Sequence, residues 1–152
     1  MPTALRSDKA MELKDYLAEG DLFARGIGAV LEEVRPGYAR ARLTVETRHL
    51  NAGGVCQGGV IYTLSDLAFA AIVNASGSMT PLVSGTIYYH RSAKLGDTLT
   101  AEARVLSDHH KLPGAVVEVH TQDGTHVATF TGVGYVTRTP LSVAPADPAS
   151  EA

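Results

Sequence analysis

Within residues 49–77, HLNAGGVCQGGVIYTLSDLAFAAIVNASG, a single carboxylate, Asp66, interrupts a long apolar run that contains no proline. A buried charge costs several kcal/mol even after the surroundings relax. Asp66 therefore either points out through a polar notch or is put to use. Thr63 and Ser65 supply such a notch, and an exposed aspartate on an amphipathic helix is the plain reading. Leu64, Leu67, Phe69 and Ala70 leave that notch narrow. A carboxylate put to use among apolar groups serves as a general base or a nucleophile. Upstream stand two glycine pairs, Gly53-Gly54 and Gly58-Gly59. Their spacing matches neither a P-loop nor a dinucleotide fingerprint. Tight turns at a helix entrance account for them. Glycines there also let a ligand reach free backbone N–H groups at the positive end of the helix dipole, where an oxyanion is stabilised.

Other reactive side chains carry less. Cys56 precedes the helix entrance, where a thiol becomes more acidic. No histidine base can be assigned to it, and a small buried thiol is the commoner role. His120 and His126 flank Asp123-Gly124; in a two-residue turn they point to opposite faces and share no metal. His109 and His110 are adjacent, so their side chains diverge, and with Lys111 they form a basic cluster suited to an anion. His49 and His90 lack ligand spacing. No metal site is expected.

The elements that must position these groups follow from periodicity. Residues 9–18 read as a short helix stopped near Gly20. From Gly26, Ile27, Ala29 and Leu31 alternate up to the turn Arg35-Pro36-Gly37, and Ala39, Ala41, Leu43 and Val45 alternate after it. A hairpin is implied. From Gly58 to about Ser76 the apolar positions cover more than one face, which marks an enclosed helix, and Gly77 and Pro81 end it. Strands follow over residues 82–90, 98–105, 115–122 and 125–136. Asp123-Gly124 favours a type I′ turn, whose register pairs Val119 with Ala128 and Val117 with Phe130. The fold class is α+β, an antiparallel sheet around one long buried helix. Its edges are best covered by a second copy that continues the sheet. The tail from Arg138, rich in proline, alanine and serine, is expected to be loosely attached.

The totals set the outer limits. A chain of 152 residues fits one domain, and a net charge of −3 lacks the basic footprint of a nucleic-acid binder. Charges in the N-terminal segment argue against an export signal, and no apolar run without polar interruption reaches the roughly 20 residues of a membrane span. One cysteine suits a reducing compartment. A cytoplasmic protein without membrane or nucleic-acid partners is expected.

The order Asn51-x6-Gly58-Gly59-x6-Asp66 resembles the hotdog-fold thioesterases of the PaaI-like, phenylacetic-acid-degradation group, whose motif is an asparagine, then HGG, then a helix bearing L-x-D-x-A. The likeness continues through TIYYHR (86–91), GDTLTAEARV (96–105) and VATFTGVGYV (127–136). It covers roughly residues 25–137, leaving 1–24 as an N-terminal helical extension and 138–152 as a tail. Gln57 stands where most members have histidine. The resemblance implies hydrolysis of an acyl-CoA, a small aryl or medium-chain one, without metal or cofactor. By motif, Asp66 is the nucleophile or general base and the Gly58 N–H polarises the carbonyl. Asn51 orients water or carbonyl, and Gln57 occupies the place of the histidine. Arg91 is the first candidate for the CoA phosphates, with Gly59 at the substrate-binding turn; the His109-His110-Lys111 cluster comes next, and Arg138 is weaker. Rival readings are a non-catalytic acyl-CoA or acyl-carrier binding module and a hotdog dehydratase; the latter is disfavoured by the missing histidine.

Distance adds a constraint. Asp66 lies eight residues beyond Gly58, about 12 Å along one helix at ~1.5 Å per residue. A thioester carbon has to sit about 3 Å from its nucleophile, with its oxygen equally close to the donor. One helix cannot do both. The expected assembly is a homodimer, or a dimer of dimers, with active sites at the subunit interface.

Overall fold

The computed structural model describes residues 7–141. Two helices, α1 (Ser7–Gly20) and α2 (Leu22–Gly26), precede the hairpin β1 (Val30–Arg35) and β2 (Tyr38–Thr44). A 3₁₀ turn, Thr47–His49, leads to the long helix α3 (Gly58–Val73). Strands β3 (Leu82–Tyr89), β4 (Thr98–Ser107), β5 (Gly114–His120) and β6 (His126–Gly134) complete the fold. All pair antiparallel in one six-stranded sheet of order β1-β2-β4-β5-β6-β3. This is the hotdog architecture expected from the sequence: a sheet around one helix.

Alternation explains why α3 beds so deeply. Ala39 pairs with Ala103 and Ala41 with Ala101. All four are fully buried beneath α3, beside Leu43, Leu99, Val117, Val119 and Phe130. Small side chains at the middle of the sheet let the helix come close, and larger ones fill the flanks. From α3, Ile61, Leu64, Ser65, Leu67, Ala68, Phe69 and Ala71 are buried against this face. Ser65 meets its need by donating to the Ile61 carbonyl (2.8 Å). Helix α3 runs into a 3₁₀ turn, Asn74–Ser76, and ends at Gly77, whose φ of +84° is the left-handed cap that glycine adopts without strain. The segment Gly58–Ser76 has the length and mean hydropathy, 1.4, of a membrane span, but Asp66 interrupts its apolar run, in keeping with the sequence reading. Its apolarity is spent on the sheet.

Several expectations need correction. Residues 26–29 are not strand: α2, capped by Asp21, whose carboxylate accepts the Ala24 N–H (3.0 Å), and a turn at Gly28 occupy them. Val105, expected inside, is 47% exposed where β4 kinks past the helix. The β5–β6 connection is not a two-residue turn. Thr121 and Thr125 close a three-residue loop with Gly124 at φ +83°, and an irregularity at Val119/His120 then restores the expected pairing of Val119 with Ala128 and Val117 with Phe130. His120 therefore sits opposite His126 on one face, their rings stacked 4.7 Å apart, rather than on opposite faces. The first residues of the tail are attached: Met79 N–H donates to Thr139 O (2.8 Å) and Leu141 N–H to Gly77 O (2.9 Å). The rest of the tail expectation falls on 142–152, outside the described residues.

Candidate active site at the entrance of the central helix

The loop leading into α3 is pinned from both sides. His49 is buried and spans it: its Nδ1 accepts the Glu46 N–H (2.9 Å) and its Nε2 donates to Ile27 O (2.8 Å). Gln57 N–H donates to His49 O and Cys56 N–H to Ala93 O, both at 2.8 Å. Asn51 shapes the turn, its side-chain oxygen accepting from Gly53 N–H (2.9 Å) and Val55 N–H (3.3 Å). Its side-chain NH₂ has no hydrogen-bond partner among the described residues. Gln57 caps α3, its side-chain oxygen accepting the Gly59 N–H (2.5 Å). Gly58 N–H, at the positive end of the helix, donates to no described residue.

A cleft of about 340 Å³ opens at this point, lined among others by Asn51, Gly58, Tyr89, His90, Arg91 and Ser92. Tyr89 reaches in from β3 and donates its hydroxyl to Gly58 O (2.7 Å). A Cβ on Gly58 would meet that hydroxyl at 2.9 Å, so a larger residue there would push the Tyr89 ring aside. Its neighbour Tyr88 points the other way along β3 and is 62% exposed. Cys56, also in the lining, is buried, and burial pushes its thiol up to about 11. That thiol is no nucleophile at neutral pH.

Asp66 lies two turns further along α3, outside the cleft lining. It is half-buried on the stripe Gly59, Tyr62, Thr63, Asp66 and Ala70, the least buried side of α3. No hydrogen bond from a described residue reaches its carboxylate. Burial first, and the negative charge of Asp21 second, raise it from an ordinary 3.8 to about 6. A carboxylate so poised is a better base than an exposed one and is still ionised at neutral pH. The sequence reading missed Asp21 and the hold of His49 on Ile27. Asp21 carries a recognisable signal, an aspartate ahead of a short apolar segment, as N-caps do.

Arg91 lines the cleft, whereas Gly59, the second residue of α3, is not among the residues that line it. Nor do His109, His110 and Lys111 line it. Their loop joins β4 to β5 at the opposite end of the sheet: His109 Nδ1 accepts from Lys111 N–H and Leu112 N–H, and Lys111 lies over the Tyr135 ring. Arg138 falls near that end as well, beside the β-bridge from Ser78 to Pro140.

A family model described as the Thioesterase superfamily matches residues 53–128, half of the chain, spanning both the helix entrance and Asp66. This chain belongs to the thioesterase superfamily. A putative esterase of Archaeoglobus fulgidus is 33% identical over 88% of this thioesterase and 86% of its own length. The acyl-coenzyme A thioesterase PaaI of Escherichia coli is 32% identical over 83% of this chain and 90% of its own. The solved E. coli PaaI structure superposes with a TM-score of 0.85 at 29% identity, covering 90% of this chain and 99% of that one. A Streptococcus mutans protein solved with acetyl CoA bound is 28% identical, with a TM-score of 0.69 over 73% of this chain and 90% of its own. The chain is thus a PaaI-like, hotdog-fold thioester hydrolase.

Proposed function

We propose that this thioesterase hydrolyses a small aryl- or medium-chain acyl-CoA to the free acid and CoA, at sites completed by a second copy of the chain. One observation carries the reading. Among the described residues, the cleft that holds Asn51, Gly58 and Arg91 is lined by no carboxylate, while Asp66, raised to about 6, stands two turns away without a hydrogen-bond partner. Each half lacks what the other has. The likeness to a protein named acyl-coenzyme A thioesterase, and to one solved with acetyl CoA, supports CoA as the thiol.

The sheet supplies the means of joining the halves. Strand β3 is an edge of eight residues, LVSGTIYY, without proline or charge, and Val83, Tyr88 and Tyr89 are 57%, 62% and 49% exposed. Proteins rarely leave such an edge unprotected. Pairing β3 with β3 of a second copy extends the sheet and brings Asp66 of one subunit towards Gly58 of the other. An antiparallel pairing also carries the partner's His109-His110-Lys111 loop to the side where Arg91 lies, and so towards the CoA phosphates.

In this site Gly58 N–H binds the thioester oxygen and the Asn51 NH₂ orients water or carbonyl. Asp66 either attacks the carbonyl carbon or takes a proton from the water that does. When water attacks, its oxygen bonds the carbonyl carbon and charge collects on the oxygen facing Gly58. The C–S bond then breaks, and the proton taken by Asp66 passes to the departing CoA thiolate, leaving the free acid. When Asp66 attacks, C–S cleavage gives the thiolate and an acyl-aspartate anhydride. Water then cleaves that anhydride, releasing the acid, restoring the Asp66 carboxylate and supplying the proton that the thiolate takes up. Neither metal nor cofactor takes part. The assembly we place in the cytoplasm is a homodimer, paired further as a dimer of dimers.

A panel of aryl and aliphatic acyl-CoAs, with release of free thiol as the readout, tests the reading. Turnover is expected on small aryl or medium-chain members. Binding without turnover across the whole panel would sink it.

A further inference from the structure

We propose that Tyr89 and Gln57 are positioning residues that clamp the Gly58–Gly59 peptide from its two ends, so that Gly58 N–H alone is offered to the thioester oxygen. The inference rests on the proposed thioesterase site. Its geometry is independent of it.

Two consecutive glycines open α3, and no side chain of their own restrains them. Glycine has the widest backbone freedom of any residue, and the first turn of a helix has no intrahelical partners for its N–H groups. An oxyanion donor, by contrast, works only when it is held in place before the reaction. Freedom is therefore at its greatest where the chemistry tolerates it least.

The peptide between the glycines is held at both ends. Its carbonyl, Gly58 O, accepts the Tyr89 hydroxyl at 2.7 Å. Its N–H, on Gly59, donates to the side-chain oxygen of Gln57 at 2.5 Å. The two contacts come from different directions, one from β3 and one from the loop before the helix. Both depend on the glycines: a Cβ on Gly58 would lie 2.9 Å from the Tyr89 hydroxyl, and one on Gly59 would lie 2.6 Å from the Gln57 oxygen. The clamp occupies Gly59 N–H and leaves Gly58 N–H free. It also spends the Tyr89 proton on the Gly58 carbonyl, so Tyr89 is not itself an acid or an oxyanion donor. Burial, helped by Tyr62 and Cys56, raises the Tyr89 phenol above its usual range, which keeps that proton in place.

Gln57 thereby acquires a role that a catalytic imidazole would not fill. Its side chain acts through Gly59, not on substrate.

Tyr89→Phe removes only the hydroxyl, and Gln57→Ala only the acceptor. Each is expected to lower kcat about tenfold, part of the ~10²–10³ that an oxyanion donor supplies, with KM changed less than twofold. Gln57→Asn, which can still cap the helix, is expected to keep most of kcat. Amide hydrogen exchange at Gly59 supplies the readout that needs no turnover: it should speed up at least severalfold in Tyr89→Phe and in Gln57→Ala. Unchanged kcat and unchanged Gly59 exchange in both variants overturn the clamp, as does a loss carried by KM alone. If the wild-type protein hydrolyses no thioester, the functional reading falls by itself. Gly59 exchange then decides the clamp, faster in the variants if it exists and unaltered if it does not.

Discussion

Asp66 illustrates what a sequence shows of a residue and what it withholds. Its apolar neighbours made it conspicuous, but its proton affinity is set by groups distant in the chain. Burial raises it to about 6 and Asp21 adds to the rise. With Asp66 acting in its ionised form, as proposed, kcat/KM should climb with pH through an apparent pKa near 6 and level off above 7. Asp21→Asn keeps the cap of α2, because asparagine caps as well as aspartate, and removes the charge. The midpoint should then move to lower pH without reaching the ordinary carboxylate range, since burial is the larger cause. A profile indifferent to that substitution would show that Asp21 does not act on Asp66. The same shift has a stability consequence. The folded protein holds the Asp66 proton more tightly than the unfolded chain, so the contribution is fully present below about pH 4. It is lost as pH rises to about 6. At roughly two units it amounts to no more than about 3 kcal/mol. Asp66→Asn is therefore expected to lose at least ~10² in kcat and to unfold at higher temperature than wild type at pH 8. Near-normal turnover in that variant would remove Asp66 from its role.

Among the elements, legibility followed the strength of the pattern. The pairing of Val117 with Phe130 and Val119 with Ala128 could be read in advance because a one-residue slip would turn the apolar face of β5 and β6 outward. The turn between them could not, because Asp123-Gly124 also fits a three-residue loop with glycine in the left-handed position. That difference brought His120 and His126 together. Helix α2 was missed for a different reason: five residues are too few to show a helical period. The beginning of the tail was misread from its composition, since its hold on residues 77–79 is made by backbone groups. Gly124 offers a test at this scale. A side chain at φ +83° costs about 1–2 kcal/mol, so Gly124→Ala should lower the denaturant midpoint while kcat/KM stays as in wild type. An unaltered midpoint would contradict the loop described.

At the scale of the whole molecule, the proposed site draws on residues that a single folded chain keeps apart. Of the proposed site, Gly58 and Asp66 could be picked out by type and spacing, and Asn51 and Arg91 only by their places in the family motif. The separation of Gly58 and Asp66 along one helix already argued that one chain could not unite them. The fold leaves the cleft on one side and Asp66 on the least buried side of α3, and it exposes β3 as the edge along which a second copy would pair. The contacts that hold Gly58 in place, Tyr89 from β3 and Gln57 from the loop, were hidden because they depend on how strand and helix approach each other. Mixing Asp66→Ala and Asn51→Ala subunits, each inactive alone, tests the shared site most directly. If each site takes Asn51 from one subunit and Asp66 from the other, every mixed dimer has one intact site. Random two-fold pairing in equal amounts then restores about a quarter of wild-type activity. No recovery, with subunit exchange demonstrated, would contradict it.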